Sequence, residues 1–206
     1  MTLPHLLVFL ATSIVITVAP GPDNLQVLAR GIAQGRAAGL VAASGFASGL
    51  LFHTTLAALG LAAVLRASPW AFQGIRLAGA AYLIWIGLKA LTSRAGLGVA
   101  HGQAGRPLWQ VYRQSVLGNL MNPKVTLFFL VFLPQFVDAR AGRPSLQMFM
   151  LGLVFMLQTV IIFGAYGWFA GALGAWLKRR PGAGRWLDRA AGATFIALGV
   201  RVALPG

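Results

Sequence analysis

No cysteine and no glutamate occur in this 206-residue chain, and aspartate appears only at Asp23, Asp138 and Asp188. Without cysteine there can be no disulfide, no thiolate nucleophile and no cysteine-held metal. So few carboxylates give poor ligation for a hard cation. No Gly-x-x-x-x-Gly-Lys-Ser/Thr loop is present, so ATP hydrolysis is not expected, and no cofactor or metal site is expected either. Charge of any kind is scarce: 10% of residues are Asp, Glu, Lys or Arg, where a soluble domain carries about 25%.

Apolar residues fill the space instead, at 58% of the chain with a mean hydropathy of +0.76. A hydrocarbon core ~30 Å thick takes ~20 apolar residues per helix, so the length allows about six spans with short loops. The apolar segments are Leu3–Ala19, Ala37–Leu65, Trp70–Leu88, Val116–Val137, Leu146–Leu177 and Ala190–Leu204. Backbone polar groups in lipid must be satisfied internally, which points to helices. The expected fold is an all-α integral membrane protein of about six transmembrane helices, one transporter-like domain over 1–206. The first segment has no basic residue before it and five apolar segments after it, so it reads as a retained span rather than a signal peptide.

The 17 Lys and Arg residues give a net charge of +14. On a soluble protein that balance would suggest nucleic acid. Here the basic residues sit in gaps between apolar runs, where they set orientation, so the expected partner is the lipid bilayer and not nucleic acid. With six spans, one side holds Arg66, Arg76, Arg140, Arg143 and Arg201. The other holds Arg30, Arg36, Lys89, Arg94, Arg106, Arg113, Lys178, Arg179, Arg180, Arg185 and Arg189, with Lys124 left inside. The richer side is the cytoplasmic one, which puts both termini outside. Trp70, Trp109, Trp168, Trp176 and Trp186 lie near segment ends, as an interfacial belt requires.

The chain also repeats itself. The run Gly79–Lys89 in the third segment is similar to Gly192–Arg201 in the sixth, with one residue deleted. The second and fifth segments are both long and uncharged, and the first and fourth are both interrupted by proline. Two copies of three helices insert with opposite orientation, so the expectation is a 3+3 inverted repeat with halves near 1–95 and 108–206. Small residues recur every four positions at Gly31, Gly35 and Gly39, at Gly45 and Gly49, and at Gly167 and Gly171. Such stripes serve close helix packing within one subunit; the alternative is a homodimer seam.

Chemistry is concentrated in two places. Pro20-Gly21-Pro22-Asp23-Asn24 ends the first apolar run, because two prolines around a glycine cannot continue a helix. A new helix is expected with Gly21 as N-cap and Pro22 first, which puts Asp23 and Asn24 in its opening turn. Asp23 is the one acid expected at membrane depth, where carboxylates are costly and usually functional. Its bland reading is a partner for the helix dipole. The second place is Gly118-Asn119-Leu120-Met121-Asn122-Pro123-Lys124, with Asn122 as N-cap and Pro123 first. Lys124 then meets the positive end of the dipole and needs compensation. Asp23 or a solute carboxylate would supply it, or the side chain snorkels to the headgroups.

Paired breaks in corresponding halves point to a transporter's binding site. A zwitterion suits this one, its carboxylate on Lys124, Asn122 and the amides after Pro22, its ammonium near Asp23. His53, inside the second segment, is a candidate for proton coupling, or an ordinary hydrogen-bonded interior histidine. Gln158, Ser44 and Ser48 read as interhelical glue. Asp138 and Asp188 read as surface charges.

These residues resemble a known family. Pro20–Asn24 with Ala29-Arg30, Gln34-Gly35 and Gly39 is similar to the first conserved block of the LysE/RhtB amino-acid exporters. Asn122-Pro123-Lys124, then Leu127-Phe128-Phe129-Leu130 and Phe132-Leu133-Pro134-Gln135-Phe136, is similar to their second block. The likeness covers nearly the whole chain. It implies export of amino acids or close derivatives across a bacterial inner membrane, driven by the proton motive force as an antiport. The alternatives are an exporter of another solute such as a metal cation, an intramembrane enzyme (with His53 and Asp23 as its one available pair), and a packing subunit.

Overall fold

The structure, a computed structural model, describes residues 3–19, 21–61, 69–92, 105–138 and 141–204. Among them every regular element is helical. We number the helices in chain order: α1 (Leu3–Val18), α2 (Pro22–Gln34), α3 (Arg36–Leu56), α4 (Pro69–Thr92), α5 (Leu108–Leu120), α6 (Pro123–Leu127), α7 (Pro144–Arg179) and α8 (Pro181–Ala203). The helix α3 runs on into a π-helical turn, Ala57–Leu61. The helix α6 runs on through a π-helical turn, Phe128–Phe132, and a 3₁₀ turn, Leu133–Phe136.

Three stretches are long and apolar enough to cross a membrane, Arg36–Gly60, Gln73–Thr92 and Pro144–Trp176. Two helix pairs reach that standard only together: α1 with α2, whose axes differ by 57°, and α5 with the α6 segment, whose axes differ by 46°. The apolar part of α8, Gly192–Ala203, is shorter. The fourth segment begins earlier than hydropathy alone locates it, at Leu108 rather than Val116. Leu108, Gln110, Tyr112, Arg113 and Gln114 are too polar in aggregate to register as apolar, yet they continue the same helix.

The surface also belongs against lipid. Leu157, Ile161 and Phe169 form an exposed stripe on α7, each more than half accessible. In water a continuous apolar face of this kind drives association. In a bilayer it costs nothing, and the polar side chains turn inward.

Close packing depends on glycine where α3 crosses α7. A methyl group on Gly39 would stand 2.7 Å from Gly167 Cα, and one on Gly167 would stand 2.6 Å from the Gly39 carbonyl carbon. The α4–α8 crossing works the same way: a methyl on Gly87 meets Gly192 O at 2.7 Å, and one on Gly192 meets Gly87 O at 2.7 Å. Gly31 packs on Ala170, while Gly45 and Gly49 pack on α5. The stripes thus pack within one subunit, except at Gly35 and Gly171, where nothing lies within 4 Å.

The main apolar core is aromatic. Phe9 of α1, Phe128, Phe132 and Phe136 of the α6 segment and Phe155 of α7 stack on one another, with Phe128 and Phe155 ring centroids 4.3 Å apart. Such pairs contribute beyond the area they bury. Two of these rings, Phe128 and Phe155, also line the polar site.

Candidate substrate site

The helix α1 stops at Val18, and its last carbonyls lose their intrahelical partners, as at any helix end. In lipid those acceptors must find donors elsewhere. Three side chains supply them. Asn24 Nδ2 donates to Thr17 O at 2.7 Å, Tyr166 Oη to Val18 O at 3.5 Å, and Lys124 Nζ to Ala19 O at 2.7 Å. The donors come from α2, α7 and α6, so the end of α1 is held from three directions.

Chain chemistry positions two of those donors. The helix α2 opens with Gly21 as N-cap and Pro22 first, which places Asp23 and Asn24 in its opening turn. Its buried residues, Asp23, Asn24, Val27, Leu28, Arg30 and Gly31, recur at helical spacing and face inward. Asn122 caps α6 with its own side chain, Oδ1 accepting from Lys124 N at 3.0 Å, and Pro123 takes the first helical position. Pro20 lies outside the described residues.

Lys124 therefore finds a partner that neither of the sequence alternatives named. Its ammonium sits at the carbonyl end of α1, the negative end of a helix dipole, which offsets its place in the first turn of α6. Asp23 is near enough to act on it electrostatically. The Phe195 ring of α8 lies 5.5 Å from the same ammonium.

Asp23 is 5% exposed. Asn119 Nδ2 donates to its Oδ2 at 3.2 Å, so the two interrupted helix pairs touch at this carboxylate. His53 does not line the site. It is buried against Phe129, and its Nε2 lies 3.2 Å from Asn119 O, where only an N–H can donate to the carbonyl. It stands one residue behind Asp23, with Asn119 between them. Gln158 is interhelical, as expected, donating to Thr17 Oγ1 at 2.7 Å and to Thr159 Oγ1 at 3.0 Å. Ser48 accepts from Tyr112 Oη at 2.9 Å, whereas Ser44 bonds only within its own helix.

A cavity of about 20 Å³ opens among these groups. Asp23, Asn24, Asn119, Asn122, Lys124 and Thr17 line its polar side, and Leu50, Phe128, Phe155 and Phe163 its apolar side. The helix α3 lines it at Leu50, and α7 lines it near its middle, at Phe155, Thr159 and Phe163. The volume suffices for about one water molecule. Pockets for small molecules run to about 300–1,000 Å³, so the site must widen to accept a solute. Two acceptors on its lining residues lack a hydrogen-bond partner, Asn24 Oδ1 and Asn119 Oδ1, both on residues at most 4% exposed, and Asn119 Oδ1 lies against α3 at Gly49. Orphaned buried acceptors are rare, because each costs about 1–3 kcal/mol.

Sequence reasoning missed Arg30. It was counted among the loop charges, yet it is fully buried on α2. Its guanidinium donates to Gln34 Oε1 at 2.9 Å and to Gln114 Oε1 at 2.6 Å. Gln34 also reaches Arg106 O at 2.9 Å. The network ties α2 to the start of α5, and the amphipathic pattern of α2 was the signal that could have found it. Asp138 is exposed, as expected; the side chain of Asp188 lies outside the described residues. Among the described residues no group of three or more metal-ligating side chains comes together.

A buried carboxylate and a half-buried lysine, set where two bent helix pairs touch in an all-helical apolar protein, suit a membrane transporter. Comparison with known proteins narrows this. The model of the LysE type translocator family matches residues 14–206, and the chain belongs to that family. It is a translocator and not an enzyme. The homoserine/homoserine lactone efflux protein of Salmonella typhimurium is 26% identical over 204 residues, 98% of each chain. The leucine efflux protein of Klebsiella pneumoniae is 35% identical over 151 residues, 71% of this chain and 70% of its own. An uncharacterized membrane protein of Vibrio cholerae is 31% identical over 197 residues, 96% of this chain and 95% of its own. No solved structure matches.

Proposed function

We propose that this protein is a secondary active exporter of amino acids or close derivatives, working in a bacterial inner membrane by alternating access and proton antiport. The observation that carries this reading is the cavity that Asp23, Asn24, Asn119, Asn122 and Lys124 line together, where the two bent helix pairs touch. Two relatives named as efflux proteins, one for homoserine and its lactone and one for leucine, support the solute class and the direction.

The solute's ammonium rests on Asp23, and its carboxylate is taken by Lys124, Asn122 and the amides that follow Pro22. Gly21 and Pro123 shape the breaks that expose those groups. Asp23 holds either the ammonium or a proton. A proton arriving from outside neutralises the carboxylate, weakens its hold on the ammonium and so ties solute release to proton entry. His53 is the second candidate on the proton route, through Asn119.

The architecture in this reading has six spans in a 3+3 inverted repeat, with α1–α2 and α5–α6 as the proline-broken first and fourth, and both termini outside. Packing supports it. Corresponding helices of the two halves cross each other at glycines, α3 with α7 and α4 with α8. The two breaks also meet, through Asn119 with Asp23 and Lys124 with Ala19. A two-fold axis in the membrane plane would bring equivalent elements together in this manner.

The test uses the purified chain in liposomes loaded with the twenty amino acids. An imposed proton gradient, acidic outside, is expected to drive release of one or a few of them. Release of none would overturn the reading. A release rate indifferent to the gradient would remove proton coupling while leaving export.

A further inference from the structure

Among the described residues, the cavity wall holds one negative charge and no second one. Asp23 is the one carboxylate among the lining residues, and Asp138 is exposed at the far end of the α6 segment. The orientation of each neighbouring amide is fixed. Asn24 Nδ2 donates to Thr17 O and Asn119 Nδ2 to Asp23 Oδ2, partners that an amide oxygen could not serve. Each amide oxygen is thereby left over, buried and without a donor.

Asp23 is the charged acceptor on that lining, and it can hold the ammonium of one zwitterion. A single α-ammonium uses that one counter-charge. The apolar part of the wall is Ile16, Leu50, Val125, Phe128, Phe155 and Phe163. The hydroxyl of Thr159 is committed, donating to Phe155 O at 2.8 Å while accepting from Gln158.

Resting on the reading that the solute is an amino acid, we infer that the site selects zwitterions with an uncharged, apolar side chain and turns away those with a cationic one. A side chain ending in an ammonium or guanidinium would enter an aromatic and aliphatic wall without a counter-charge, with Lys124 of the same sign on the same lining. Burying an unpaired charge is far more costly than burying a methyl group. An aliphatic side chain instead packs against the rings of Phe128, Phe155 and Phe163.

Norleucine and lysine separate the two cases, since norleucine has lysine's side chain without its terminal ammonium. The full chain is reconstituted in liposomes holding equal concentrations of one or the other, labelled, and release is followed after a proton gradient is imposed. Norleucine is expected to leave at least about tenfold faster than lysine, with leucine beside norleucine and arginine beside lysine. Lysine or arginine leaving as fast as norleucine would overturn the selectivity while leaving amino-acid export intact. Release of no amino acid of any kind would overturn the export reading, and this inference with it.

Discussion

Replacing Asp23 by asparagine separates transport chemistry from helix capping, because the two roles differ in magnitude. The substitution is nearly isosteric, and the new Oδ1 can still accept from Asn119 Nδ2, now 3.2 Å from Asp23. If the carboxylate merely complements the dipole of α2, its loss costs about 0.3–1 kcal/mol of stability and leaves transport alone. If it receives the solute's ammonium, a hydrogen bond to a charged group worth about 1.5–3 kcal/mol is lost. At 1.4 kcal/mol per decade that is roughly a 10- to 100-fold rise in KM. The assay is counterflow of labelled leucine in liposomes, beside thermal unfolding of the same preparation in detergent. The expected outcome is a near-normal unfolding temperature, a KM raised at least about tenfold and a flattened dependence on the proton gradient. A variant that exports with wild-type KM and wild-type response to the gradient would refute the assignment of Asp23 to the solute.

Other outcomes follow from the same geometry. Lys124→Met removes the cation proposed for the carboxylate, so the preference for leucine over isoamylamine, its decarboxylated counterpart, should fall about tenfold in competition assays; an unchanged preference would place the carboxylate elsewhere. Gly39→Ala and Gly167→Ala each push a methyl into the facing backbone and should destabilise by about 1–3 kcal/mol in thermal unfolding. The double variant should cost less than the sum, since one separation of α3 from α7 relieves both; strict additivity would mean that the two methyls do not meet. Because the chain has no native cysteine, single cysteines report topology cleanly. A membrane-impermeant maleimide should label Leu204→Cys in intact cells and Arg113→Cys only after permeabilisation, and the reverse pattern would invert the orientation.

Hydropathy found the long helices because lipid demands them, and proline chemistry found where α2 and α6 begin. A ring that blocks the preceding turn fixes φ at the next, and those effects are local to the sequence. The family was legible for the same reason, since its two blocks are runs of adjacent residues. The partners of Lys124 and Asn24 were not legible. Both donate to backbone carbonyls of α1, and a backbone acceptor carries no residue identity for a pattern to detect. Arg30 was misread because positive charge near an apolar run ordinarily marks a loop. Its burial depends on Gln114, 84 positions away, supplying an oxygen at 2.6 Å. The orphaned oxygens of Asn24 and Asn119 are a step further removed. Each becomes visible only once the amide nitrogen beside it is known to be spent. Such a remainder, left when the other hydrogen bonds have been assigned, exists only in the folded chain.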